Sequence, residues 1–213
     1  MGLEFIWYGM KKWIVGFSLF IVVSFLLFSF LQYSTQPFKT DAIILLVGYD
    51  NEAREGEAKR LLHQGYADYL LVPARNKIYR TSKSVGAIDE VPLKNPLFIS
   101  GSQRWLKVGS LNAPENTHIE IIRAKRIMER LGLKSALFVS SPYHLRRIKM
   151  MAKAEFGDNF KMAFVPAYHV KGFDPFWFMD FEQLKWVSME YSKILWFLLY
   201  NSWEQIAPHI PHG

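Results

Sequence analysis

Residues 136–147 read ALFVSSPYHLRR. The four apolar residues 136–139 form an uninterrupted run, which is typical of a strand buried on both faces of a sheet. Ser141 followed by Pro142 is typical of a helix start, because serine caps free N–H groups and proline fits the first helical turn. This stretch therefore predicts a buried strand that leads directly into the amino terminus of a helix.

The same pattern recurs on both sides of this stretch. Upstream, an apolar run over 42–47 ends at Gly48, and a predicted helix over 52–64 and a short strand over 69–72 follow it. Further predicted elements are a helix that begins at Asn116 or Thr117 and stops at Gly132, a strand over 160–165 and a long helix over about 181–203. Strands that alternate with helices predict an α/β fold, a Rossmann-like three-layer sandwich around a mostly parallel sheet.

The middle of the chain is less regular. Residues 74–96 contain several lysines, arginines and serines, one glycine and two prolines, so they predict a long loop or insertion. Residues 97–99 predict a third strand, and residues 101–114 are again irregular.

The amino-terminal segment 13–31 carries no charge. As a helix its 19 residues extend roughly 28 Å, close to the ~30 Å hydrocarbon core of a bilayer. A cleavable signal peptide has a shorter apolar region and a small-residue cleavage site, and a buried core helix is rarely apolar on every side. An uncleaved transmembrane helix is therefore the favoured interpretation over these two alternatives.

The flanking charges predict how this helix is oriented. Lys11 and Lys12 precede the apolar segment, and only Lys39 follows closely. Positively charged flanks stay in the cytoplasm, so residues 1–12 are predicted to be cytoplasmic and the protein single-pass in the cell membrane. Residues 32–40 form a predicted linker, residues 41–205 an extracytoplasmic domain and residues 206–213 a tail.

Composition narrows the chemistry of the domain. The chain has no cysteine, which excludes disulfides, thiolate catalysis and zinc–thiolate sites. Its net charge of +7 most simply indicates attraction of the domain to anionic membrane lipid. The basic residues are scattered, so nucleic acid is not an expected partner. The histidines lack metal-ligand spacing, so no metal site is predicted, and no motif identifies a cofactor.

Candidate site residues follow from the predicted topology. Ligands of open α/β sheets bind at the carboxyl ends of strands, beside helix amino termini that attract anions. The polar residues predicted at such positions are Asp50, Asn116, Thr117, Ser140, Ser141, His144 and Arg147. His144 is the candidate acid–base residue, since histidine titrates near neutral pH. Arg147 and the other five residues are predicted to bind a ligand, with the arginine on a phosphate.

Each candidate also has a simpler interpretation. Asp50 and the Thr117–Glu120 pair are able to serve only as helix caps, the latter as a capping box. His144 fits a satisfied surface or core histidine, and Arg147 fits a solvated helix face. His118 is predicted to be exposed and inert. The aromatic residues in 173–181 and 195–200 fit core packing, with a membrane-interface surface as the alternative.

Several of these features resemble the DUF218 family, which includes the YdcF-like, SanA-like and ElyC-like bacterial proteins. The resemblance rests on the strand 42–48, Arg54 with Ala58, the segment 115–117, and above all 139–147, with the tail 189–200 as a closing helix. It implies a Rossmann-like domain tethered by amino-terminal membrane segments and linked to cell-envelope integrity and to peptidoglycan or lipid-carrier metabolism. The family's usual Ser-Gly-Gly turn is replaced here by residues 72–75, VPAR.

These observations predict an envelope protein that binds or processes a phosphorylated glycan precursor, free or lipid-linked. A second hypothesis is a non-catalytic, membrane-tethered scaffold or binding protein of the envelope. A third, by fold analogy alone, is a binder of nucleotides or S-adenosylmethionine. An extracytoplasmic location disfavours the third, because such cofactors are scarce outside the cytoplasm.

Overall fold

The computed structural model describes residues 2–48, 50–81, 88–91, 117–167 and 176–206. The helices are α1 (Gly2–Leu31), α2 (Asn51–His63), α3 (Thr117–Leu131), α4 (Leu145–Phe156) and α5 (Phe181–Ile206). The strands are β1 (Ala42–Leu45), β2 (Tyr69–Val72), β3 (Lys77–Thr81), β4 (Ile88–Val91), β5 (Ser135–Ser140) and β6 (Lys161–Pro166). The described residues also include three short 3₁₀ turns, at Pro73–Arg75, Pro142–His144 and Trp177–Met179.

The six described strands form one mixed sheet in the order β4-β3-β2-β1-β5-β6. The four strands β2, β1, β5 and β6 are parallel, and β3 and β4 continue the sheet in antiparallel pairs. In the centre, Ile43 lies opposite Leu70 on one side and Leu137 on the other. The predicted α/β class and the mostly parallel sheet are thus confirmed.

The prediction of a loop over 74–96 is wrong for residues 77–81 and 88–91, which form β3 and β4. Among residues 77–81 only Ile78 is buried, so the apolar pattern that identifies a buried strand is absent. The chain reverses after β2 through the turn at Pro73–Arg75 and a left-handed Asn76. The strand predicted at 97–99 and the irregular region 101–114 lie outside the described residues.

Apolar side chains of β1 alternate between two cores. Ile44 packs with residues of α3, α4 and α5, such as Ile121, Met151 and Phe197. Ile43 packs with residues of α2, such as Leu61. Helices therefore contact both faces of the sheet, as the continuous apolar run of the strand requires.

The amino-terminal helix α1 contains one segment, Met10–Leu31, that is long and apolar enough to cross a membrane by length and composition. The last turns of α1 are attached to the domain through the backbone. Trp177 Nε1 donates to Ser24 O at 3.2 Å, and Tyr191 OH donates to Leu27 O at 2.7 Å. Because these donors lie before and within α5, that helix is held directly against the carboxyl-terminal half of α1.

The aromatic tail is partly buried and partly exposed. Ile194, Phe197 and Tyr200 are buried in the domain, in agreement with core packing. Trp196 and Trp203 are about half exposed, at 48% and 58%. Phe173 lies outside the described residues.

Candidate functional site at the switch point of the sheet

A cavity of about 280 Å³ opens at the carboxyl ends of β1 and β5. The chain proceeds from β1 to β2 on one side of the sheet and later returns to β5 and β6 on the other. The boundary between β1 and β5 is therefore a topological switch point, where open α/β sheets bind ligands. The residues lining the cavity are Leu46, Val47, Gly48, Arg54, Thr117, Ser140, His144, Arg147, Ile148, Lys185, Trp186, Met189 and Lys193.

The buried carboxylate of Glu190 connects the basic residues of the cavity. It is 0% exposed and accepts hydrogen bonds from Arg147 Nε at 2.9 Å and Nη2 at 3.2 Å. His144 Nδ1 and Lys193 Nζ lie 3.1 and 3.3 Å from its Oε1 atom. Burial alone raises the pKa of Glu190, but the charge of Arg147 and contact with His144 outweigh it and hold that pKa well below its usual range.

Arg147 is fixed at both ends of its guanidinium group. Nε and Nη2 bind Glu190, while Nη1 donates to Thr117 Oγ1 at 2.8 Å. The side chain is 7% exposed. Its planar guanidinium group binds a carboxylate through two nitrogens at once. Arg147 thus lines the cavity, but much of its donor capacity is already used by the protein. Its positive charge is directed at the cavity, whereas its geometry is set by Glu190.

His144 is held neutral by its surroundings. Burial lowers the pKa of His144 to about 4, with further lowering by Arg147 and Arg54, against the opposing effect of Glu190. Its Nδ1 atom lies within reach of both Glu190 Oε1 and Arg147 Nη2, at 3.1 and 3.3 Å. A neutral ring with its proton on Nδ1 donates to Glu190 and leaves Nε2 as a proton acceptor. That tautomer suits a general base.

The depressed pKa of His144 predicts a pH dependence of stability. Unfolded histidine has a pKa near 6.5 and the folded residue one of about 4, so the unfolded chain binds more protons between these values. Stability contributed by the neutral ring is complete above pH 6.5 and is lost as the pH falls towards 4. The expected loss is about 3 kcal/mol by pH 4, measured from urea unfolding of the detergent-solubilised chain.

His144→Gln removes this titration and should flatten the dependence between pH 6.5 and 4. The matched control is His63→Gln, because His63 is exposed at the end of α2. If wild type and His144→Gln lose stability equally over this range, the neutral buried state assigned to His144 is wrong.

A second polar network lies beside the first and holds Arg54. This arginine is 2% exposed and donates from Nε to Ser141 Oγ at 2.9 Å and from Nη1 to Leu46 O at 3.0 Å. Ser141 and Tyr143 both donate to Asp50 Oδ2, at 2.9 and 2.8 Å. Burial and the bond to Asp50 raise the pKa of Tyr143 to about 12.

Glycine at position 48 makes room for this buried arginine. A Cβ atom placed on Gly48 would lie 2.6 Å from Arg54 Nη2, well inside van der Waals contact. The guanidinium group cannot shift without disturbing its bonds to Ser141 and Leu46. Gly48 therefore allows the guanidinium group of Arg54 to lie against the backbone after β1, where this group faces the cavity.

The structure brings together most of the predicted site residues. Thr117, Ser140, His144 and Arg147 all line the cavity. Asp50 and Ser141 belong to the Arg54 network that adjoins it. Asn116 lies outside the described residues.

Two of the simpler sequence interpretations are wrong. His118 is 0% exposed rather than exposed, and its ring nitrogens contact Tyr200 OH and Glu155 Oε1. The predicted capping box is replaced by longer-range bonds, because Thr117 accepts from Arg147 and Glu120 Oε2 accepts from Val47 N at 3.2 Å. Glu120 thereby holds the backbone at the end of β1, next to the cavity.

Four charged residues of the site are not among those predicted from the sequence: Arg54, Lys185, Glu190 and Lys193. A signal for Arg54 exists in its helical spacing from Ala58 and Leu61, which places it on the buried face of α2. Glu190 shares a similar position, four residues before the buried Ile194. The two lysines carry no such signal, because lysines on a long helix are ordinarily solvated.

Comparisons with protein-family models, with curated proteins and with solved structures find no match for this chain. Within the described ranges, no group of three or more histidine, aspartate and glutamate side chains is arranged to hold a metal ion.

Proposed function

We propose that this chain is a membrane-anchored, DUF218-like protein of the cell envelope whose cavity binds a phosphorylated ligand. The ligand class that we favour is a glycan precursor, free or lipid-linked, used in envelope biogenesis. The alternative is a non-catalytic, membrane-tethered scaffold or binding protein. The domain in this proposal is Rossmann-like, a three-layer sandwich, which is supported by helices on both faces of the sheet.

The charge of the cavity carries this proposal. Its lining includes the four cations Arg54, Arg147, Lys185 and Lys193, and no carboxylate among the described residues. Glu190 lies behind this lining and offsets part of the charge of Arg147 and Lys193. A cavity with excess positive charge at a switch point favours an anion, and phosphate offers several oxygens to such donors.

The position of the cavity beside α1 favours a ligand that is attached to lipid. One face of α5 supplies Lys185, Trp186 and Met189 to the cavity. The adjoining face of the same helix contacts α1 through Tyr191. The cavity is thus separated by the width of one helix from the segment that is able to cross a membrane.

A test at His144 distinguishes an enzyme from a binding protein. An anion in the cavity would stabilise the protonated ring and raise the pKa of His144 from its value of about 4 towards neutrality, where proton transfer is efficient. We expect the full chain to hydrolyse a polyprenyl-phosphate-linked sugar: His144 accepts a proton from the attacking water, the bond from phosphorus to the sugar oxygen breaks, and the products are polyprenyl phosphate and the free sugar. His144→Gln should lower this turnover by at least 100-fold with little change in binding.

The matched control for this assay is His63→Gln, which should turn over like wild type. Binding without turnover in the wild-type chain would support the scaffold alternative and remove the catalytic role of His144. Equal turnover by wild type and His144→Gln would leave the reaction but assign it to another residue.

We propose a cytoplasmic amino terminus and an extracytoplasmic domain, in line with Lys11 and Lys12 before the apolar segment. Alkaline phosphatase fused after Gly213 should then be active in intact cells, because this reporter folds only outside the cytoplasm. Green fluorescent protein fused at the same place should be dark when exported by the same route. The opposite pair of results would place the domain in the cytoplasm.

A further inference from the structure

The length of α1 conflicts with a domain that rests entirely outside the bilayer. Lys12 is the last charged residue before the apolar segment, and Ser24, which contacts the domain, is twelve residues later. Twelve helical residues rise about 18 Å, whereas the hydrocarbon core is ~30 Å thick. Tilting the helix would shorten this reach further. When α1 crosses a membrane, its contact with the domain therefore lies below the outer surface of the hydrocarbon.

The part of the domain at this depth is the segment 176–181. The ring of Phe178 packs edge-on against Phe20 at a centroid distance of 5.1 Å. The indole of Trp177, 6% exposed, donates to Ser24 O, and Ser24 itself is 3% exposed. The segment is thus fixed to the middle of α1 by apolar packing and by a hydrogen bond, and it has to follow α1 into any membrane.

The outer side chains of the same segment are large, apolar and exposed. Phe176 is 60%, Met179 79% and Phe181 81% exposed. Each of these side chains would bury apolar surface on entering hydrocarbon, at roughly 25 cal/mol per Å². A cluster of this kind on a protein surface marks an interaction site.

We propose that the segment 176–181 is inserted among the acyl chains of the outer leaflet, beside α1. Its one charged residue, Asp180, accepts backbone bonds from Glu182 and Gln183 at 2.8 and 3.2 Å at the start of α5, and these bonds offset part of the cost of bringing its carboxylate near hydrocarbon. Lys185 follows one turn later and reaches the head-group zone by extending its side chain. Insertion of the segment 176–181 places the mouth of the cavity at the level of the lipid head groups.

The occupant of this surface is the bilayer and not a second copy of the chain, because the surface is continuous with a helix that is itself exposed to lipid. Phe20, which packs against Phe178, is itself 49% exposed, and Phe17, one turn earlier on the same face of α1, is 64% exposed. Val22, on another face of α1, is 53% exposed. An apolar surface that begins on a membrane-spanning helix and continues onto the domain is covered by the same solvent throughout.

The absence of cysteine permits a direct test by single labelling. Met179→Cys is labelled with an environment-sensitive fluorophore, and the full chain is reconstituted in phosphatidylcholine–phosphatidylglycerol vesicles. Val22→Cys on α1 is the positive control, and Asp158→Cys, 82% exposed after α4, is the negative control. Quenching is measured with spin-labelled acyl chains and with aqueous iodide.

We expect lipid quenching at position 179 to be at least threefold greater than at position 158 and similar to that at position 22. Quenching by iodide but not by lipid at position 179, with normal lipid quenching at position 22, would overturn the inserted segment and leave the anchor intact. Absence of lipid quenching at both position 179 and position 22 would show that neither α1 nor the segment 176–181 lies in the bilayer. Shielding from both quenchers, with cross-linking between two copies of Met179→Cys, would assign the surface to a dimer instead.

Discussion

Replacing Glu190 by alanine should lower the free energy of unfolding by about 3–5 kcal/mol, the cost of breaking a buried ion pair. The substitution leaves Arg147, 7% exposed, without the carboxylate that binds two of its nitrogens. It also removes a hydrogen-bond partner from His144. Urea unfolding of the detergent-solubilised chain, followed by tryptophan fluorescence, measures the change at pH 7.

The control on the same helix is Glu182→Ala, whose side chain is exposed and should change stability by less than about 0.5 kcal/mol. A double variant separates charge from packing: Arg147→Met with Glu190→Leu should recover most of the loss, because apolar replacements remove both buried charges. If Glu190→Ala unfolds at the same urea concentration as wild type, the carboxylate does not organise the cavity.

The sequence was most informative where a strand is buried on both faces. The runs at 42–47 and 136–139 are apolar without interruption, and both occupy the centre of the sheet with Ile44 opposite Phe138. The strands β3 and β4 lie at one end of the sheet, with β4 at its edge and β3 between β4 and β2, and neither has the continuous apolar run of a buried strand. Residues there face solvent on one side, so their composition matches that of a loop.

Local spacing predicted the first group of site residues well. His144 and Arg147 are three apart, and their contact at 3.3 Å follows from helical geometry. Thr117 and Ser140 were predicted from the rule that strand ends and helix starts meet at one edge of a parallel sheet. Both line the same cavity as His144.

The rest of the site depends on tertiary packing that no local pattern encodes. Glu190 lies 43 residues from Arg147, and the two meet because α5 packs on α4. His118 illustrates the same limit in a histidine predicted to be inert. It is buried since α3 places it against Tyr200, which is 82 residues away.

Removing the two lysines of the cavity should weaken ligand binding by roughly 10- to 100-fold, since each charged hydrogen bond to a phosphate is worth about 1.5–3 kcal/mol before solvent screening. Lys185 and Lys193 project from α5 into the cavity. Lys193 also forms an ion pair with Glu190. The single variant Lys193→Ala therefore tests whether the loss of ligand affinity comes from disturbing Glu190. The matched control is Lys161→Ala, an exposed lysine on β6.

The decisive quantity is the dissociation constant of polyprenyl phosphate for the full chain in nanodiscs, compared with that of the uncharged polyprenol. We predict saturable binding of the phosphate form, at least tenfold weaker in the Lys185→Ala, Lys193→Ala double variant and unchanged in Lys161→Ala. Equal binding of polyprenyl phosphate and polyprenol, or equal binding by wild type and the double variant, would contradict a phosphate-binding cavity.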